Sequence, residues 1–342
     1  MNRSTAFVGI KDVAREAGVS VGTVPHVLNR PGRVSPRTRR HVELVIARLG
    51  YVRSESARQL RAGRSRVVAV LVLDMGNPFF VDLAQGAQRT AREAGLAVTL
   101  CNSAQSARKE AEYLELFAEQ RVRGVLVTPA DPSGRSLAGF RRHGIPFVLV
   151  DRVAEDATGC SVSVDDVTGG ALAVRHLTGA GHRSLAYVSG PPHLGQARDR
   201  RTGAREAVAQ AGLSPAALRE IATERLDVAA GRDAGAGLLG LAERPTAVFC
   251  ANDLLALGVL QFMYTAGVKV PDDLALVGYD DIEFAAAATV PLTSVRRPAR
   301  AMGATAADLL LQEAGDRAAG HRHEHVVLQP ELVVRGSSLP GR

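Results

Sequence analysis

Residues 10–29 constrain this chain most: Ile10-Lys11-Asp12-Val13-Ala14-Arg15-Glu16-Ala17-Gly18-Val19-Ser20-Val21-Gly22-Thr23-Val24-Pro25-His26-Val27-Leu28-Asn29. Val13, Ala14 and Ala17 fall on one helical stripe. Gly18 suits a sharp turn that a Cβ would resist. Ser20 suits an N-cap, so a second helix is expected from Val21. Two short helices joined by a glycine turn make a helix-turn-helix, whose second helix enters the DNA major groove. A third helix should follow, with Ser35 as cap and Pro36 at its first position. Val42, Val45, Ile46 and Leu49 form its apolar face and Gly50 its end.

The charge is distributed to match. The first 66 residues hold 14 basic against 4 acidic side chains, and the rest of the chain 28 against 31. The whole excess of +7 therefore sits on the first fifth of the chain. A basic module on a near-neutral body is the footprint of phosphate binding; a merely solvated basic terminus would lack the accompanying helical pattern.

At 342 residues, 46% of them hydrophobic, the chain has room for two or three domains. Cys101, Cys160 and Cys250 are odd in number and far apart, which suits a reducing compartment better than a disulfide framework. No secretory leader and no membrane-length apolar run is seen, and a cytoplasmic location is expected.

Beyond a short helix-competent stretch and a Gly/Arg/Ser linker at 54–66, the rhythm changes. Val67–Leu73, Leu96–Leu100, Gly124–Val127 and Pro146–Val150 read as buried strands, with helices between them. Leu185–Val188, Ala247–Cys250 and Leu274–Val277 repeat the pattern. Apolar strands alternating with helices predict parallel sheets covered on both faces, here as two similar α/β lobes. Ligands in such lobes bind at strand carboxyl ends, and a cleft between lobes is a natural pocket.

Several spaced motifs together resemble the LacI-type (lactose-repressor) family of bacterial transcription regulators over nearly the whole chain. They are Ile10–Ala14 through Val27-Leu28-Asn29, Val34-Ser35, Leu49-Gly50-Tyr51, Ala57-Arg58-Gln59-Leu60, Asn77-Pro78-Phe79-Phe80, Ala251-Asn252-Asp253 and Val277-Gly278-Tyr279-Asp280-Asp281. The resemblance implies an all-α helix-turn-helix domain (1–53), a hinge helix and linker (54–66), and a two-lobed periplasmic-binding-protein-like effector domain with parallel sheets (67–336). Lobe one is expected at about 67–165 and 295–324, and lobe two at about 166–294 and 325–336. The resemblance further implies a homo-oligomer on a pseudo-palindromic double-stranded operator. The C-terminus, lacking leucine heptads, favours a homodimer.

By the same resemblance, Val21, Gly22 and His26 meet bases. Thr23, Asn29, Arg33, Ser35 and Thr38 meet phosphates, which position rather than specify. Leu60 wedges into the minor groove. Pro25 departs from the pattern, which usually has serine there. Placed fifth in a helix begun at Val21, it would remove the N–H that bonds the Val21 carbonyl and weaken DNA binding; an interior proline costs about 3 kcal/mol or more, and somewhat less is expected this near the N-terminus.

For the effector, the resemblance implies Asp151, Arg200, Asn252 and Asp280, whose paired donors and acceptors suit sugar hydroxyls. Family members often place a ring-stacking aromatic near Asp227-Val228-Ala229. Here Val228 stands there and tryptophan is absent, so Phe80 or Phe284 is the candidate platform. A sugar is favoured over a purine.

Gly235-Ala236-Gly237-Leu238-Leu239-Gly240 spells a dinucleotide fingerprint, but inside a helix-like stretch rather than after a strand. His321-Arg322-His323-Glu324-His325 alternates histidines that could ligate a metal, yet reads more simply as a polar loop entering the strand Val326-Val327-Leu328. No P-loop, Gly-x-Ser-x-Gly elbow or paired-cysteine zinc site is present. No cofactor, metal or catalysis is expected, and the expected function is an effector-controlled repressor. A transport-type sugar-binding protein would lack the helix-turn-helix, and a Rossmann-type enzyme would need a phosphate loop.

Overall fold

The computed structural model describes residues 8–51, 65–131, 133–153, 159–315 and 321–339. The chain divides into two compact units, 1–65 and 66–342. Leu60 and nearly all of the 54–66 hinge lie outside the described residues.

In the first unit, α1 (Ile10–Glu16), α2 (Thr23–Asn29) and α3 (Pro36–Leu49) enclose Val13, Ala14, Ala17, Val24, Val27, Val42 and Val45. Gly18 and Gly50 both take positive φ, at the turn and at the end of α3. Ser35 caps α3 by accepting from Thr38 N at 3.2 Å. The second helix starts two residues later than expected. Gly22 is its N-cap, and Ser20 instead closes the preceding turn, its carbonyl accepting from Thr23 N at 2.9 Å. Pro25 is thereby the third helical residue. The first four N–H groups of a helix have no intrahelical acceptor, so the interior cost expected of this proline does not arise.

The second unit holds two six-stranded sheets. In lobe one the order is β11-β5-β4-β3-β1-β2, from β1 (Val67–Val72), β2 (Ala97–Asn102), β3 (Gly124–Val127), β4 (Phe147–Val150), β5 (Cys160–Val164) and β11 (His325–Leu328). Every pairing in it is parallel. One face packs on α4 (Pro78–Glu93) and α12 (Ala299–Ala314); the other packs on α5 (Ala107–Glu119) and α6 (Arg135–Arg141) through Leu114, Phe117, Leu137 and Phe140. Helices on both faces explain why these strands are continuous apolar runs.

Lobe two repeats the plan with the order β12-β10-β9-β8-β6-β7. Its strands are β6 (Leu185–Ser189), β7 (Leu218–Ala222), β8 (Ala247–Cys250), β9 (Ala275–Asp280), β10 (Thr293–Arg296) and β12 (Glu331–Val333). Its helices are α7 (Asp166–Gly179), α8 (Gly195–Gln210), α9 (Val228–Leu239), α10 (Asp253–Thr265) and α11 (Glu283–Ala287). The edge pair β10–β12 is antiparallel, an exception to the all-parallel expectation. The glycine fingerprint at 235–240 falls within and at the end of α9, where it presents no strand-to-helix loop for a phosphate.

The lobe boundaries differ from the expected ones at the C-terminal crossings. Residues 293–296 belong to lobe two as β10, and 325–328 return to lobe one as β11, which covers the open edge of β5. An uncovered strand edge leaves a row of unpaired N–H and C=O groups, so pairing 325–328 there satisfies it.

The helix pair α4·α12 in lobe one is mirrored by α7·α8 in lobe two. A Cβ on Gly303 would run into the Leu83 carbonyl, and one on Gly203 into the Val167 carbonyl. Both pairs therefore touch backbone to backbone, which fixes the helices that carry the cleft residues.

Candidate DNA-reading face and effector cleft

On the first unit, Val24 and Val27 point inward, which leaves Val21, Gly22, His26 and Asn29 on the exposed side. Val21 and Gly22 sit in the turn before α2 rather than in its first helical positions. The Thr23 hydroxyl pairs with that of Ser20 at 2.9 Å, and Thr38 pairs with Ser35 at 2.8 Å. Asn29 Nδ2 donates to the Pro25 carbonyl at 2.8 Å, and Arg33 is exposed in a short 3₁₀ turn, Pro31–Arg33. His26 presents its ring at the surface, while several of the hydroxyl and amide groups are already engaged locally.

In the second unit, all five expected effector residues line one cleft between the lobes: Phe80, Asp151, Arg200, Asn252 and Asp280. Topology places them there. Asp151 follows β4, Asp280 ends β9 and Asn252 follows β8, all at strand carboxyl ends, while Arg200 comes from the second turn of α8. Asp151 and Asp280 adopt positive φ, 63° and 107°. Such φ values in non-glycine residues cost about 1–3 kcal/mol each and persist only where surrounding contacts enforce them.

Those contacts cross the cleft. Asn77 of lobe one donates to Asp280 Oδ2 at 2.8 Å, and Gln196 of lobe two donates to Asp151 Oδ2 at 2.8 Å. Arg297, on the crossing after β10, donates to Asp151 at 2.8 and 3.3 Å and lies 3.4 Å from Asp280 Oδ1. Its guanidinium also stacks 3.6 Å over the ring of Phe79. On the other side, Arg200 donates to Asp166 at 2.9 Å and to the Ala251 carbonyl at 2.6 Å, and lies 3.8 Å over the ring of Tyr279. Tyr279 in turn donates to Asp166 at 2.7 Å. Asn252 is largely committed to holding the fold, capping α10 through Leu255 N and donating to the Leu226 carbonyl.

Burial pushes the Asp151 carboxyl up, to about 6, against the opposing pull of Arg297. Nearby, Asp253 is driven well above the usual carboxylate range, first by burial and then by the charge of Asp280. Among the described residues, Arg200 Nη2 and Arg297 Nε are buried at this cleft with no hydrogen-bond partner, and Asp280 Oδ1 has no hydrogen bond beyond its 3.4 Å ion pair with Arg297. A buried polar atom left without a partner costs about 1–3 kcal/mol, and a bound polar molecule relieves that cost.

The aromatic question resolves partly as expected. Phe80 lines the cleft together with Phe79; Phe284 is exposed and is not among the lining residues. In the segment where an aromatic platform was sought, Leu226 lines the cleft and Val228 merely opens α9. Sequence reasoning missed Asn77, Gln196 and Arg297 as cleft residues. Asn77 lay within a quoted motif. Arg297 was hidden because β10, whose carboxyl end places it, carries the polar sequence Thr-Ser-Val-Arg.

A helix-turn-helix unit joined to a two-lobed α/β unit with a polar interlobe cleft defines a class, the DNA-binding regulator with a built-in ligand receptor. Residues 9–54 match the profile of the bacterial regulatory proteins of the lacI family, and residues 174–338 match a periplasmic binding protein-like domain. The HTH-type transcriptional repressor PurR of Photobacterium profundum is 33% identical over 329 residues, 96% of this chain and 98% of that protein. The ribose operon repressor of Escherichia coli K12 is 34% identical over 330 residues, 96% and 99% of the two chains. The lac repressor dimer bound to operator and the anti-inducer ONPF superposes with a TM-score of 0.82 at 27% identity, over 98% of this chain and 100% of that one. A LacI family regulator from Enterococcus faecium with bound ribose gives 0.74 at 27% identity, over 81% and 100%. The chain belongs to the lacI family of bacterial regulatory proteins.

Proposed function

We propose that this protein is a transcriptional repressor, acting in the cytoplasm as a homodimer on a pseudo-palindromic operator, whose DNA affinity is set by a small neutral sugar held in the interlobe cleft. It is a binding protein and not an enzyme. The observation that carries the ligand class is the pair of buried arginine N–H groups, Arg200 Nη2 and Arg297 Nε, that lack a hydrogen-bond partner among the described residues, beside the Asp280 carboxylate and an aromatic wall. Arginine donors next to a carboxylate acceptor match hydroxyl groups, each of which both gives and takes a hydrogen bond.

Charge narrows the class further. The cationic Arg200 and Arg297 are already offset by Asp151, Asp166 and Asp280, so the cleft has no surplus cation for a phosphate. One face of Phe79 is occupied by Arg297, which leaves a poor sandwich for a purine.

The bonds that close the cleft, Asn77–Asp280, Gln196–Asp151 and the Arg297 bridge, are the elements a ligand would strengthen or replace. A ligand binding one lobe arrangement more tightly shifts the population toward it, and the operator affinity follows by linkage. Val21 and His26 are the residues proposed to read bases. Thr23, Asn29, Arg33, Ser35 and Thr38 are proposed to seat phosphates, with Leu60 at the operator centre.

The test is fluorescence anisotropy of the full chain on DNA taken from upstream of its own reading frame, across a salt series. Tight binding that falls steeply with salt, and vanishes for a chain beginning at residue 66, is the expected outcome. A panel of neutral pentoses and hexoses, with hypoxanthine alongside, should contain a sugar that changes this affinity. Binding that survives the truncation would overturn the DNA-reading assignment. A response to hypoxanthine alone would overturn the ligand class.

A further inference from the structure

We propose a zinc-type metal site in lobe one, built from Cys160, Glu313, His321 and His323 and separate from the effector cleft. Three elements converge there. Cys160 opens β5, Glu313 is the penultimate residue of α12, and His321 and His323 lie on the segment running into β11. Cys160 Sγ is 3.0 Å from His321 Nε2 and 3.7 Å from His323 Nδ1. One ligand atom from each of the four residues lies within 4.8 Å of all the others. Tetrahedral zinc, with bonds of about 2.0–2.3 Å, separates its ligand atoms by about 3.5 Å, so small side-chain movements close the shell.

The chemistry of the donors selects the ion. One thiolate, two imidazoles and one carboxylate suit zinc and its neighbours in the first transition row, and disfavour the oxygen-seeking magnesium and calcium. Glu313 adds an independent sign. Its Oε2 is buried with no hydrogen-bond partner among the described residues, an expensive state that a bound cation would end. The thiol proton leaves to solvent as the metal–sulfur bond forms.

The backbone around the cluster is anchored. Glu324 N donates to Cys160 Sγ at 3.4 Å, Ser161 N donates to the Glu324 carbonyl at 2.9 Å, and Ser161 Oγ pairs with His325 Nδ1 at 2.9 Å. A disulfide does not compete, because all three cysteines are free and apart. Metal binding would fasten the incoming end of β11 to β5 and α12. The alternating histidines, which read in sequence as a polar loop, acquire partners only because the fold brings residues 160 and 313 to them.

The experiment titrates cobalt(II), a spectroscopic stand-in for zinc, into the full untagged chain after chelator treatment under reducing conditions. The expected result is a thiolate-to-cobalt charge-transfer band with strong tetrahedral visible bands, saturating at one equivalent and erased by added zinc. Cys160→Ser should remove the charge-transfer band. Because that buried substitution can disturb folding, the exposed His323→Asn is made as well, and should weaken cobalt binding at least tenfold with an unchanged circular-dichroism spectrum. No charge-transfer band at saturating cobalt, or full affinity in His323→Asn, overturns the proposal.

Discussion

Replacing Arg297 with methionine removes a cation that touches both lobes' cleft carboxylates while keeping an apolar stem of similar bulk. The side chains of Arg297, Asp151 and Asp280 are 3%, 2% and 3% exposed, so little water can substitute for the lost partner. Removing one member of a buried ion pair costs about 3–5 kcal/mol. Asp151 has a way to limit its share, which is to take up a proton. With its pKa already raised to about 6, protonation at pH 7 costs only on the order of 1 kcal/mol, and this caps what Asp151 can contribute to the loss there. At pH 5 it is mostly protonated in both proteins, and its contribution nearly vanishes. The direction follows from linkage. An acid whose pKa is raised by folding binds protons better when folded, so its contribution to stability rises as pH falls from about 6 toward 3.8. The variant should therefore be less stable than the parent at pH 7 by about 3–5 kcal/mol, and the deficit should shrink by about 1 kcal/mol at pH 5. Urea unfolding followed by circular dichroism at the two pH values measures both numbers. The lost stack on Phe79 is indifferent to pH. A deficit equal at both pH values, or below 1 kcal/mol at pH 7, would refute the argument that Arg297 compensates buried charge.

Three further outcomes are expected. Pro25→Ser should lower stability by only about 0.4–1 kcal/mol, because proline at a compatible first-turn position acts mainly by restricting the unfolded chain; operator affinity should stay within about fivefold, the worth of one added hydrogen bond, and a far larger gain would show that the proline distorts the reading face. Gly303→Ala should destabilise the effector unit by at least about 1–3 kcal/mol through the clash with the Leu83 carbonyl, read as a shift in the urea midpoint; an unchanged midpoint would mean that α4 and α12 can part freely. Arg200→Gln should abolish the sugar-induced change in operator anisotropy, since it removes the unpartnered Nη2 and the stack on Tyr279 together; a full response from this variant would place the ligand elsewhere.

The sequence alone determined whatever depends on local pattern. Ser35, Pro36 and Gly50 delimit α3 as capping chemistry requires, and Gly124–Val127 and Ala247–Cys250 are strands because short apolar runs can be buried on both faces. Asp151, Asn252 and Asp280 were legible as cleft residues because the carboxyl end of a strand is itself a place in an α/β fold. The tertiary structure decided what depends on partners distant in the chain. β5, with two buried serines, and β7, with an exposed Arg-Glu pair, are strands only because a neighbouring ladder takes up their N–H and C=O groups. Only the fold sends residues 325–328 back to lobe one, moves Pro25 into a first turn where its missing N–H is harmless, and sets Arg297 between two carboxylates, one 146 residues away along the chain. Only the fold carries Cys160 to His321. Local periodicity records how a segment buries its own side chains, whereas charge compensation and ligand geometry arise between segments and exist only once they have met.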